Sequence, residues 1–216
     1  TVSYVKALTE LTLDAKAVRS IGFPLSAALV ERELRIAQGT VVGCNHALEH
    51  GIAFNIAGGT HHAFSDRGEA FCLLNDQAIA AQYLINQKKC HKILIVDLDV
   101  HQGNGTAEIF QNNADVITFS MHGQSNYPFR KETSDYDIAL PDKTDDTTYL
   151  SILQETLPEL LNIHRPDFVF YLAGVDILGT DKLGKLGCTL EGCKTRDSYV
   201  LSLCKSLGIP VQVSMG

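Results

Sequence analysis

Apolar positions along this chain follow two alternating rhythms. Residues 3–19 carry helical spacing. A second helix is predicted from Pro24, a residue suited to a first helical turn, to about Glu49, with Gly39 and Gly43 weakening its interior. After it, short and nearly continuous apolar runs alternate with amphipathic stretches. Residues 52–57, 92–97, 116–120, 167–173 and 210–214 read as strands. Residues 76–87, 105–111, 145–162 and 190–207 read as helices, with Pro158 expected to kink or end the third of these. Strands that are apolar throughout are covered on both faces. The pattern therefore predicts an α/β fold of three layers, a mostly parallel central sheet with helices on both sides. No repeat, low-complexity tract or Pro/Ser-rich linker divides the chain, so residues 1–216 are read as one domain.

The polar residues gather where the strands end. Successive apolar runs empty into Gly58-Gly59-Thr60-His61-His62, Asp97-Leu98-Asp99-Val100-His101, Ser120-Met121-His122-Gly123, Ala173-Gly174-Val175-Asp176 and Ser214-Met215-Gly216. In an open α/β sheet the ligand crevice lies outside the carboxyl ends of the strands. Five such endings on one edge predict a shared site. Asp97, Asp99 and His101 would begin on one side of their strand, since alternate residues share a face.

Two carboxylates and an imidazole suit a divalent metal such as zinc, and Asp99, His101 and Asp176 are assigned to it, with positions left open for water and substrate. The adjacent His61 and His62 need another role. One imidazole could take a proton from water activated by the metal, and the other could hand one to a leaving group. Alone, a His-His pair is more often a surface feature; its place after a strand and two glycines argues otherwise. Asp97 is the candidate carboxylate to hold one ring, and Asn104 could accept a hydrogen bond from His62. A neutral partner supports a positive imidazole less than a carboxylate does, so His62 is expected to lose its charge more easily. Phe71, Tyr127 and Phe129 fall in loops on the same edge and are candidate walls of an apolar channel. His122 is a candidate pocket residue, with a structural role equally open. Cys72 is rejected as a nucleophile, because the metal and histidines account for hydrolysis without it.

Composition narrows the class. The formal net charge is −7, which argues against a nucleic-acid-binding face but suits a basic substrate. Six scattered cysteines without a Cys-x-x-Cys pair fit free thiols in a reducing compartment, and cytoplasmic localisation is expected. No apolar run reaches the roughly 18 residues of a membrane span.

The ordered motifs Gly58-Gly59-Thr60-His61-His62-Ala63, Phe71-Cys72-Leu73-Leu74-Asn75-Asp76, Asp97 to Gly105 and Ala173 to Asp176 resemble the histone deacetylase family, which shares the arginase-deacetylase fold and includes acetoin-utilisation proteins and acetylpolyamine amidohydrolases. The similarity runs from about Tyr4 to the end and is greatest to the class IV branch and its small bacterial relatives. The resemblance implies one zinc ion on Asp99, His101 and Asp176, and general acid–base work by His61 and His62 with Asp97 behind His61. It implies Phe71 in the substrate channel. It also implies a monovalent cation, usually K+, near Asp97, Asp99, His101, Ser120 and Met121. The expected activity is zinc-dependent removal of acetyl or longer acyl groups from acyl-lysine. The alternatives are deacetylation of polyamines or other small amines, or an inactive acyl-lysine-binding module; an arginase-like pair of manganese ions is disfavoured by the single ligand set. Two departures stand out. Gln102 and Asn104 replace a second histidine and an acid found in many members. The family's next segment, a glycine run followed by a tyrosine that hydrogen-bonds the carbonyl oxygen, would follow Gly216, so the fold is expected to be truncated at both ends.

Overall fold

A computed structural model describes residues 1–216. Six strands form one sheet: β1 (Ile52–Asn55), β2 (Ile93–Asp97), β3 (Val116–Gly123), β4 (Tyr136–Leu140), β5 (Phe168–Leu172) and β6 (Val211–Ser214). Their order is β1-β6-β5-β2-β3-β4, and every neighbouring pair is parallel. The four interior strands β6, β5, β2 and β3 are buried along their whole length, as strands of a sheet covered on both faces must be.

Seven helices accompany the sheet: α1 (Val2–Thr9), α2 (Ala15–Ile21), α3 (Ala27–His50), α4 (Asp76–Asn86), α5 (Asn104–Phe110), α6 (Asp146–His164) and α7 (Leu190–Ser206). The side-chain alternation of β2 divides the core between two faces. Leu94 and Val96 join Leu153, Leu157 and Val200 of α6 and α7. Ile93 and Ile95 join Cys44, Ala81 and Phe110 of α3, α4 and α5. The result is the expected three-layer α/β architecture. None of the helices is long and apolar enough to cross a membrane.

The structure corrects the predicted elements in four places. The stretch 3–19 is two helices, because Asp14 accepts hydrogen bonds from the amides of Lys16 and Ala17, both at 2.8 Å, and starts α2 afresh. Pro24 lies before α3, which Ser26 caps instead. The helix then runs through both glycines, and Gly39 lets it press on the sheet, since a Cβ there would sit 3.2 Å from the Asn55 side chain, whereas one on Gly43 would make ordinary contact with Gln212 at 3.5 Å. Pro158 does not end α6. The Gln154 carbonyl, which a proline cannot serve, faces the Tyr199 hydroxyl at 3.5 Å. Finally β4, a half-exposed edge strand of mixed polarity, follows a loop without any apolar run to announce it.

The strand order places the crevice. From β2 the chain moves outward to β3 and β4; from β5 it moves the other way to β6, beside β1. Such a reversal between adjacent strands opens a gap at their carboxyl ends. The loops leaving β2 and β5 carry Asp99, His101 and Asp176.

Candidate metal and histidine site

β1 leads through Gly58 and Gly59 into Thr60, His61 and His62, and this turn is built around the carboxylate of Asp76 at the start of α4. Asp76 accepts from the amides of Gly59 (3.0 Å) and Thr60 (2.9 Å) and from the hydroxyls of Thr60 (2.9 Å) and Thr40 (2.6 Å). A Cβ on Gly58 would meet Asp76 Oδ2 at 2.5 Å, so only glycine lets the turn close on its anchor. Both rings are buried, with centroids 4.1 Å apart.

Their partners differ. Nδ1 of His61 lies 2.7 Å from Asp97 Oδ2, and Nδ1 of His62 lies 2.7 Å from Asn104 Oδ1. Burial opposes a charge on either ring. For His61 the charge and hydrogen bond of Asp97 outweigh burial and raise its pKa to about 9. For His62 burial and the neighbouring positive His61 win over the amide, and its pKa falls well below the usual value. At neutral pH the structure therefore supports one cationic and one neutral imidazole, side by side.

β2 ends at Asp97, so strand alternation does not position Asp99 and His101. The following loop does. The Asp99 amide donates to Asp97 Oδ1 (3.1 Å), and the His101 amide donates to Asp99 Oδ1 (2.8 Å). From β5 the Asp176 carboxylate reaches across and accepts from the Val100 amide at 2.9 Å. His101 Nδ1 then stands 3.0 Å from both Asp99 Oδ1 and Asp176 Oδ2. One ligand atom from each residue lies within 4.8 Å of the others. Two carboxylates packed against one imidazole demand positive charge. Here a proton on His101 supplies it: burial disfavours that proton, but bonds to Asp176 and Asp99 raise the pKa to about 10. A divalent cation would meet the same demand, and the donor set fits one.

The aromatic residues divide. Tyr127 packs edge-on against His62, with centroids 5.0 Å apart, and Phe129 follows it at 6.3 Å, almost fully exposed. Phe71 is half exposed, its ring 5.1 Å from that of Phe23. Neither Phe71 nor Phe129 touches the histidine rings. His122 is buried against Ser120 Oγ at 3.0 Å rather than joining the pair. Burial pushes the Cys72 thiol up to about 12, as an inert side chain requires.

Three supporting residues have no role assigned by the sequence pattern. Asp76 stands there only within a motif. Glu69 accepts from Asn104 Nδ2 at 3.1 Å. Arg196, fully buried, donates through Nη1 to the carbonyls of Leu98 (3.0 Å) and Gly174 (2.7 Å), tying together the loops that carry Asp99 and Asp176. Its signal was present: Arg196 interrupts the buried stripe Cys193, Val200 and Cys204 of α7.

The family described as the histone deacetylase domain matches residues 1–216. An uncharacterized protein of Picosynechococcus sp. is 50% identical over 213 residues, covering 99% of this chain and 71% of its own. Histone deacetylase 2 of Arabidopsis thaliana is 32% identical over 176 residues, 80% of this chain and 46% of its own. The acetoin utilization protein AcuC of Staphylococcus aureus is 34% identical over 164 residues, 70% of this chain and 42% of its own. The chain thus spans less than half the length of these last two relatives.

Proposed function

Because this chain belongs to the histone deacetylase family, we propose that the protein is a zinc-dependent amidohydrolase that removes acetyl or longer acyl groups from acyl-lysine. The observation that carries the reading is the convergence of Asp99, His101 and Asp176 within 4.8 Å, with the His62 ring centroid 6.0 Å from that of His101.

In this reading Asp99, His101 and Asp176 hold the metal. When bound, the ion supplies Lewis acidity toward the amide carbonyl and toward water. His62, neutral and with Nδ1 engaged by Asn104, offers Nε2 as the base that takes a proton from the attacking water. His61, kept charged by Asp97, stabilises negative charge on the carbonyl oxygen and gives its proton to the amine as the carbon–nitrogen bond breaks. The acyl group leaves as a carboxylate, and exchange with solvent restores both histidines. Tyr127 would wall the channel beside His62, with Phe71 and Phe129 exposed at the entrance. The family reading also assigns a monovalent cation, K+, near Asp97, Asp99, His101, Ser120 and Met121; Asp97 and Ser120 are direct partners across β2 and β3.

A net charge of −7 favours cationic substrates, which covers acylated lysine in basic peptides and acylated polyamines alike. The full-length protein should therefore be assayed on acetyl-lysine peptides, longer acyl-lysine peptides and acetylated polyamines, with and without a chelator. Chelator-sensitive release from the peptides is expected. Release from polyamines alone would move the reading to the small-amine class. No release from any substrate would overturn it.

A further inference from the structure

Behind the neutral partner of His62 stands a carboxylate. Glu69 lies in the segment that joins the histidine pair to α4, where its backbone is pinned by reciprocal hydrogen bonds with Cys72, both 2.9 Å. Its Oε1 accepts from Asn104 Nδ2 at 3.1 Å and from the hydroxyl of Tyr127. Its Oε2 lies 3.6 Å from Arg67 Nε.

A primary amide has an oxygen and an NH2 of nearly equal size, so it can turn over in place. Which end of Asn104 faces His62 decides where that ring carries its proton. With Oδ1 toward the ring, Nδ1 must hold the hydrogen and Nε2 keeps its lone pair. With Nδ2 toward the ring, the amide would donate to Nδ1, the hydrogen would move to Nε2, and no base would face the site. An ionised carboxylate only accepts, so Glu69 admits only the first orientation. The Gly105 amide, donating to Asn104 Oδ1 at 3.1 Å, agrees with it.

Building on the reading of His62 as the base, we propose that Glu69 is a positioning residue that fixes the tautomer of His62 through the amide of Asn104. The amide passes on the direction of the hydrogen bond without placing a carboxylate against the ring. Tyr127 takes part from the other side, since its ring edges His62 while its hydroxyl donates to Glu69. The channel wall and the base are thereby held by one carboxylate.

The test is nitrogen-15 NMR of labelled histidine in the full-length protein, with the His62 signals assigned by comparison with a His62→Gln sample. The wild type should show the hydrogen on Nδ1. Glu69→Ala leaves a gap, and Glu69→Lys presents a donor that should turn the amide over. Both should move the hydrogen toward Nε2, and kcat should fall roughly tenfold with KM little changed, less than the 10²–10⁴ of losing an acid–base group outright. Glu69→Gln keeps an acceptor oxygen and should restore both. Because Glu69 is 20% exposed, either damaging variant suffices if the other fails to fold. An unchanged tautomer in folded Glu69→Ala or Glu69→Lys would overturn the proposal, as would Glu69→Gln behaving like Glu69→Ala. The NMR signal needs no substrate. A wild type with the hydrogen on Nδ1 but no acyl release would sink the functional reading and leave this one standing.

Discussion

Oδ1 of Asn104 lies 2.7 Å from Nδ1 of His62, a neutral amide in the place where neighbouring His61 meets the Asp97 carboxylate. Burial opposes charge on both rings; Asp97 overcomes it at His61, whereas at His62 burial and the positive His61 prevail over the amide, and the two rings take opposite courses. Asn104→Asp should therefore raise the pH at which His62 titrates, read by NMR. The new carboxylate would face Glu69 across the 3.1 Å now spanned by the amide, and two carboxylates that close share a proton. The rise should accordingly be larger when Asn104→Asp is combined with Glu69→Gln. An unchanged titration in the double variant would contradict this electrostatic account.

The Asp99, His101 and Asp176 set predicts about one zinc per chain by elemental analysis of the purified protein, with the metal lost in Asp176→Ala. Two manganese ions would point to arginase-like chemistry, and no metal at all would favour a binding module. The same set predicts that chelation lowers the melting temperature of the wild type. A ligand present at 100 times its dissociation constant stabilises by about 2.7 kcal/mol. Asp176→Ala should show almost no chelation shift.

The His61–Asp97 pair gives metal-free protein a definite pH dependence. His61 titrates at about 9 in the fold against 6.5 for an ordinary histidine. A raised pKa means that the folded state binds the proton more tightly. The stabilisation is therefore complete below 6.5 and is lost as pH rises through about 9. His101, titrating at about 10, adds a loss of the same sign at higher pH. Asp97→Asn should remove the His61 part and leave the His101 part. Urea unfolding of chelated wild type and Asp97→Asn between pH 6 and 9.5 would show a flatter dependence for the variant; parallel curves would refute the pairing.

The central sheet is legible because β2 and β5 are buried on both faces and so are written as nearly continuous apolar runs, while β3 opens on Val116 and Ile117 before Thr118, Ser120 and His122 alternate with apolar residues. The residues at their ends were legible because Asp, His and Gly are conspicuous after Ile, Leu and Val. What is marked by no apolar run, or rests on contacts between distant segments, is not legible in the same way. Asp14 starts α2 through a local cap that no break in the apolar spacing marks. β4 is half exposed and carries no apolar run. Glu69 looks like one acid among many until the fold brings it to Asn104, 35 residues away. The supporting role of Asp76 likewise exists only once β1 and α4 have met.

Gly174 provides the sharpest test of how tightly the two ligand loops are packed. A Cβ there would lie 2.3 Å from Asp99 Oδ2 and 2.8 Å from Asp99 Cα, so alanine cannot be accommodated without moving Asp99 or the loop after β5. Arg196 grips both loops, at the carbonyls of Leu98 and Gly174, so the added methyl falls on the Asp99 side chain held between them. Displacing a ligand carboxylate should weaken metal binding by at least the 10–100-fold typical of disturbed supporting contacts. Gly51→Ala is the control. Gly51 caps α3 with a φ of +88° and has nothing within 4 Å of its would-be Cβ. Alanine there should cost about 1–2 kcal/mol of stability from the left-handed backbone and leave metal affinity alone. Titration calorimetry of zinc into the chelated variants, together with their melting temperatures, separates the two effects. Equal zinc affinity in Gly174→Ala and wild type would mean that Asp99 is not held against this loop.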